Sequence, residues 1–189
     1  MILEEEDTAP MKGSRALAAM ALLLVTPCLL AGAENLKINP HLDYSDHNRK
    51  QGPLITGDDM DSGVVKGMPN YIIFYMEKCY NAKRQARITV HMYNKYRDIV
   101  HFVIVDVDQP MTEEMRMLRQ KYCFKVIPHT TLLDRDGNVV FDYTGETDEA
   151  TMDGWLDYAV RTSQAEEQQV HLAKTDGEKS VAEKSGGDK

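Results

Sequence analysis

Two residue types in this chain can carry chemistry, cysteine and histidine, and the cysteines matter most. Of the three, Cys28 lies inside an apolar N-terminal run, which leaves Cys79 and Cys123 to the body of the protein. The thiolate is the attacking form of cysteine, and unpaired helix N–H groups and nearby cations favour it. Cys79 meets both conditions, standing at the start of a helical pattern with Lys78, Lys83 and Arg84 around it. The competing reading is a packed and inert Cys79. In an oxidising compartment a structural disulfide between the two cysteines also stays open. Cys123 reads as a small buried apolar residue, with a bridge to Cys79 or to another chain as its alternatives.

Other chemistries are poorly supported. His41, Asp43, Asp46 and His47 cluster in the sequence, but their spacing matches no helical ligand pair, so no metal is expected. His91 and His101 read as surface or strand-edge residues. A formal net charge of −8 repels polyphosphate, and no basic stripe is interleaved with aromatics, which argues against nucleic acid as a partner. No cofactor is expected.

The elements that position Cys79 follow from periodicity. Tyr71 to Met76 is an unbroken apolar run of strand length, as in a strand buried on both faces. A helix is predicted from Cys79 to about Arg97, with Ala82, Ala86, Val90 and Tyr93 on one face. His101 to Val107 reads as a second buried strand. Thr112 caps a helix with Glu113 and Glu114 in its first turn and Met115, Leu118 and Tyr122 inward. Thr130–Leu133 and Val139–Tyr143 flank an Asp136-Gly137 turn, as in a hairpin. A last helix carries Met152, Trp155, Leu156, Ala159 and Val160. A short helix from Asp58 to Lys66 is also predicted before the first buried strand. This order gives an α/β fold, a central mixed sheet flanked by helices on both faces.

With a cysteine just after the first buried strand, residues from about Asp59 to Thr162 resemble thioredoxin. Phe74-Tyr75-Met76-Glu77-Lys78-Cys79-Tyr80-Asn81-Ala82-Lys83 is similar to that family's strand end, Trp-Cys-Gly-Pro-Cys loop and following lysine. Val126-Ile127-Pro128 is similar to its Ile-Pro pair, whose proline is cis and faces the active cysteine, and Gly145 matches a glycine after the last strand. The resemblance implies a thioredoxin fold with Cys79 as the catalytic thiol and a groove formed by Lys78, Tyr80, Ile127 and Pro128. The departures are equally specific. Ala82 replaces the resolving cysteine, Lys78 the tryptophan, Tyr80-Asn81 the Gly-Pro, and Ile73 a buried aspartate. His129 follows the expected cis-proline as an accessory acid or base, although strand alternation can turn it away, and Cys123 is a second accessory candidate.

The N-terminus reads as a secretory signal. Lys12 and Arg15 precede an apolar run from Ala16 to Leu30, and Ala31-Gly32-Ala33 offers a cleavage site. Glu4, Glu5, Glu6 and Asp7 fit a signal badly, so translation is expected to begin at Met11. The expected organisation is a signal over 1–33, a polar lead-in over 34–57, the thioredoxin-like domain over 58–162 and a disordered charged tail over 163–189. Two functions compete. One is a periplasmic or secreted monothiol disulfide oxidoreductase or isomerase, acting on protein thiols or disulfides as a monomer without a membrane span. The other is a thioredoxin-fold module that binds an extended polypeptide without turnover. An uncleaved signal acting as a membrane anchor is the alternative to export.

Overall fold

A computed structural model describes residues 33–46, 52–123 and 126–162. Strands β1 (Glu34–Ile38) and β2 (Ile55–Asp58) pair antiparallel in a small sheet of their own. They precede β3 (Asn70–Tyr75), α1 (Tyr80–Tyr96), β4 (His101–Asp106), α2 (Glu113–Tyr122), β5 (His129–Leu133) and β6 (Val139–Thr144). A final helix, α3, occupies 149–162.

The four main strands lie in the order β4-β3-β5-β6. β3 runs parallel to β4, with Ile73 opposite Ile104, and antiparallel to β5, with Ile73 opposite Thr130. Every residue of β3 is buried, because a central strand covered on both faces has no solvent side to make polar. Alternation along β3 divides the core. Tyr71, Ile73 and Tyr75 join α1 residues Ala82, Ala86 and Met92 on one face, with Met152, Leu156 and Ala159 of α3. Ile72 and Phe74 meet Met115, Leu118 and Tyr122 of α2 on the other. The mixed sheet with helices on both faces is therefore present. The Thr112 hydroxyl accepts the Met115 N–H at 3.2 Å, which makes it the α2 cap.

Three expectations need correction. The 34–57 segment is not a mere lead-in: Leu36, Tyr44, Leu54 and Ile55 are buried in the α1-side core, so its few apolar residues fold onto the domain. No helix forms over Asp58–Lys66. The chain turns instead, with Asp59 at φ 49° and Ser62 N–H donating to Asp59 O, and the Asn70 side chain then holds Val65 and Met68 through three hydrogen bonds. Trp155 is not a core residue of α3. It lies at the surface against Phe141 of β6 and Tyr158, while Met152, Leu156 and Ala159 form the buried stripe. The predicted signal and charged tail lie outside the described residues, apart from Ala33.

Candidate functional site

The buried β3 ends at Tyr75, and the chain reaches α1 after one short loop. Cys79 is the N-cap of that helix, with extended backbone angles and no side-chain capping bond. Its N–H donates to Met76 O at 3.2 Å, and its carbonyl accepts the Lys83 N–H at 3.0 Å, so backbone bonds fix the loop and the first turn. The side chain is left half-buried at the positive end of a 17-residue helix whose first turn carries no acidic residue.

Opposite stands the segment before β5. The Ile127–Pro128 peptide is cis, and the Cys79 S–H donates to Ile127 O at 3.6 Å across 48 residues of sequence. Pro128 is buried, and its carbonyl accepts the Gly145 N–H at 2.8 Å. Gly145 has φ 114°, a region that costs a residue with Cβ, so its identity matters to this tie. Met76 (38 % exposed) directly follows β3 and Val126 (58 % exposed) directly precedes Ile127, so each of the two loops carries an exposed apolar side chain. Of the groove residues predicted, Ile127 meets Cys79 through its carbonyl and Pro128 is buried next to it in the chain; Lys78 is exposed and Tyr80 half-buried on either side of Cys79 in sequence.

The predicted ring of cations is only partly present. Lys83 is fully buried, and its ammonium donates to the carbonyls of Asp43 at 3.1 Å and Asp46 at 2.6 Å, anchoring the N-terminal segment. Arg84 pairs with Glu146 at 2.8 Å and lies over the Tyr80 ring. One turn beyond Cys79, Ala82 is fully buried and offers no sulfur, and Ile73 is buried in β3.

The accessory candidates sit elsewhere. His129 points to the α2 side, where its ring bonds Thr144 Oγ1 and Asp142 Oδ1, each at 2.8 Å, and contacts the Phe74 ring. With both nitrogens engaged it is a structural residue, since strand alternation turns it away from the α1 face. Cys123 terminates α2 in the α2-side core at 6 % exposure, and burial pushes its thiol up. Both cysteines are free, on opposite faces of the sheet, and Ile127 touches both core clusters. No group of three or more potential ligands that could hold a metal gathers among the described residues; His47 lies outside them.

Sequence reasoning missed an acidic group beside the site. Glu77 is fully buried; its carboxylate accepts from Gly52 N–H at 3.2 Å and Gln109 Nε2 at 2.5 Å, and its own N–H donates to Asp108 at 2.9 Å. Asp106, the last residue of β4, is pushed up to about 7, chiefly by burial, with Glu77 and Asp108 adding to the effect. A lone acid at the end of an apolar run was the only signal in the sequence.

A cysteine at a helix N-terminus, facing a cis-proline at the end of a mixed sheet, defines a thioredoxin-like protein. The description "Thioredoxin-like domain" matches residues 58–160, more than half of the chain, and the chain belongs to that family. Membership supports a general thiol–disulfide oxidoreductase-like or thioredoxin-fold function. Among solved structures, the chain is similar to Fasciola hepatica thioredoxin at 21 % identity and TM-score 0.41, over 50 % of this chain and 83 % of that one. It is similar to a malarial protein at 14 % identity and TM-score 0.42, over 49 % of this chain and 98 % of the other. None of the curated proteins matches the chain significantly.

Proposed function

We propose that this protein is an exported monothiol disulfide-exchange protein that uses Cys79. The observation that carries the reading is a half-buried thiol at the N-terminus of α1, facing Ile127–Pro128, with buried Ala82 where a second thiol would stand. The Cys79 thiolate attacks one sulfur of a substrate disulfide, forming a mixed disulfide and releasing the other sulfur as a thiolate. A small external thiol or a second substrate thiol then attacks the mixed disulfide. If it attacks the substrate sulfur, Cys79 leaves as the thiolate and a new disulfide forms between substrate and attacker. Electrons balance without a cofactor.

Export rests on the leader. β1 begins at Glu34, directly after Ala31-Gly32-Ala33, so cleavage there leaves the strand whole. Mass spectrometry of the exported protein is expected to find an N-terminus near Glu34.

The exposed apolar Met76 and Val126, on the loops that carry Cys79 and Ile127, also favour the second reading, a module that holds an extended polypeptide. A fluorescent disulfide-linked peptide with a small thiol in excess separates the two. Loss of exchange in Cys79→Ser supports the first reading; no exchange by the wild type, with peptide binding retained in Cys79→Ser, supports the second.

A further inference from the structure

The main sheet has two edges, and they differ. β4 is buried from His101 to Val105, whereas β6 pairs with β5 alone and is exposed or half-buried throughout. An edge strand presents a row of backbone N–H and C=O groups without partners, and proteins ordinarily blunt it with lysine, proline or a bulge. β6 has neither lysine nor proline. Its one register shift, opposite Leu132–Leu133, leaves Phe141 to Thr144 in regular pairing with β5.

The two faces of this edge carry different chemistry. On the α1 side runs a connected set of rings: Phe141 lies 6.2 Å from Tyr143 and 5.5 Å from Trp155, and Trp155 lies 5.8 Å from Tyr158, centroid to centroid. Tyr143, Trp155 and Tyr158 are exposed. A groove of about 550 Å³ continues from Trp155 and Tyr158 along α3, past Gly154, where a Cβ would meet nothing within 4 Å. The α2 side is acidic. Asp142, the one charged residue of β6, stands opposite Thr131 and is therefore on that face. Its Oδ1 accepts from Thr131 Oγ1 at 2.9 Å and bonds His129 Nε2 at 2.8 Å. Its side chain is 53 % exposed, and no hydrogen bond among the described residues uses Oδ2.

We propose that β6 accepts an added strand from another protein, an extended segment whose residues alternate between apolar and basic. Main-chain hydrogen bonds to the open edge supply affinity, and alternate side chains supply specificity. Period two sends successive side chains of the added strand to opposite faces. Those on the α1 side meet Tyr143 and Trp155, and those on the α2 side meet Asp142. A cation there pairs with Asp142 and is drawn in by the formal net charge of −8; a carboxylate would meet like charge. Arg161 also lines the groove, but it belongs to α3 on the opposite side of the sheet and does not neutralise Asp142. A second copy of this chain is the poorer occupant, since it would bring its own Asp142 and the same net charge to the edge. The inference does not depend on Cys79 chemistry.

Trp155 is the single tryptophan of the chain, so its fluorescence reports on this face. A capped peptide that alternates valine and lysine is expected to change that fluorescence saturably and to slow hydrogen exchange at β6 amides. The valine–glutamate counterpart should bind at least about tenfold more weakly, because it reverses the charge that meets Asp142. A block peptide of the same composition, valines followed by lysines, keeps the charge without the alternation and should also bind more weakly. Asp142→Asn retains an oxygen for Thr131 and His129 but removes the charge, and should cost the alternating peptide at least about threefold in affinity. Equal binding of the alternating peptide and either control, equal affinity of Asp142→Asn and wild type, or unchanged exchange at β6 would overturn the proposal. The peptide comparison on the wild-type protein needs no variant, so the test survives if Asp142→Asn fails to fold. Sedimentation of the peptide-free protein that shifts with its own concentration, with β6 amides protected in step, would assign the edge to a second copy and overturn the proposal.

Discussion

The Cys79 thiol meets the Ile127 carbonyl, which belongs to the cis peptide to Pro128, at 3.6 Å. Cys123 repeats the arrangement one residue earlier, its sulfur 3.9 Å from the carbonyl of Val126. One short segment thus presents adjacent carbonyls to two thiols that belong to opposite faces of the sheet. What separates the cysteines is access: Cys79 opens to the cleft, and Cys123 is enclosed by α2 and β3.

That difference predicts unequal alkylation. A small iodoacetamide-type reagent should modify Cys79 of the native protein first and Cys123 at least about tenfold more slowly, because burial both blocks Cys123 and pushes its thiol up. In denaturant the two rates should converge. Peptide mass mapping of partly alkylated protein reads the result, and faster native labelling of Cys123 would contradict the burial described above.

Gly57 is where the N-terminal hairpin is most sensitive. A Cβ there would lie 2.5 Å from Glu34 O and 2.7 Å from Leu36 Cδ2, and the first of these is backbone that cannot swing aside. Gly57→Ala should therefore cost about 1–3 kcal/mol and loosen β1 from β2. Thermal melting checks the first effect and limited proteolysis within 34–58 the second. An unchanged melting temperature would mean that the hairpin contributes little to the fold.

Asp106 gives stability a pH dependence of definite sign. The folded protein holds its proton more tightly than the unfolded chain does, so this contribution is fully present below about 3.8 and is lost as pH rises through about 7. The difference in melting temperature between wild type and Asp106→Asn should change across that window, with the variant gaining on the wild type as pH increases. A constant difference from pH 4 to pH 8 would show that Asp106 titrates normally.

Most of the main sheet was legible because β3 and β4 each carry an unbroken apolar stretch, Tyr71–Tyr75 and Phe102–Val105, and the capped or striped helices carry clear periods. The N-terminal hairpin was not, since each strand is short and β1 buries only Leu36 of its five residues. Its stability comes from distant partners: Lys83 from α1 holds the carbonyls of Asp43 and Asp46, and the Tyr93 hydroxyl accepts the Asn35 N–H at 2.8 Å. Residue types alone suggested that Lys83 would serve the thiol, because its position one turn after Cys79 is local and its true partners are 37 and 40 residues away. Cys79 and Ile127–Pro128 were legible through resemblance, whereas the Glu77–Asp106–Asp108 group arises only when the ends of β3 and β4 meet side by side.

The absent second thiol leads to the last prediction. Ala82 follows Cys79 by three residues on α1, so Ala82→Cys would place two sulfurs on one helical turn. In the wild type a mixed disulfide on Cys79 can be released only by a thiol from outside, so turnover of an insulin-like substrate should be slow and should rise with the concentration of added thiol. In Ala82→Cys the new thiol attacks the Cys79 sulfur and releases the substrate thiolate. It leaves an internal disulfide between Cys79 and the introduced sulfur for the reductant to reopen. Turnover at low thiol should rise at least about tenfold, equivalent to about 1.4 kcal/mol of barrier. The burial of Ala82 limits the gain, because the added sulfur enters the packed α1-side core, and Ile73 supplies no carboxylate to take up the attacking proton. Cys79→Ser in the same background should return activity to zero, and Cys123→Ser should leave it unchanged. A variant that folds normally, forms the internal disulfide and still shows no gain would locate the slow step before resolution, in the attack by Cys79 itself.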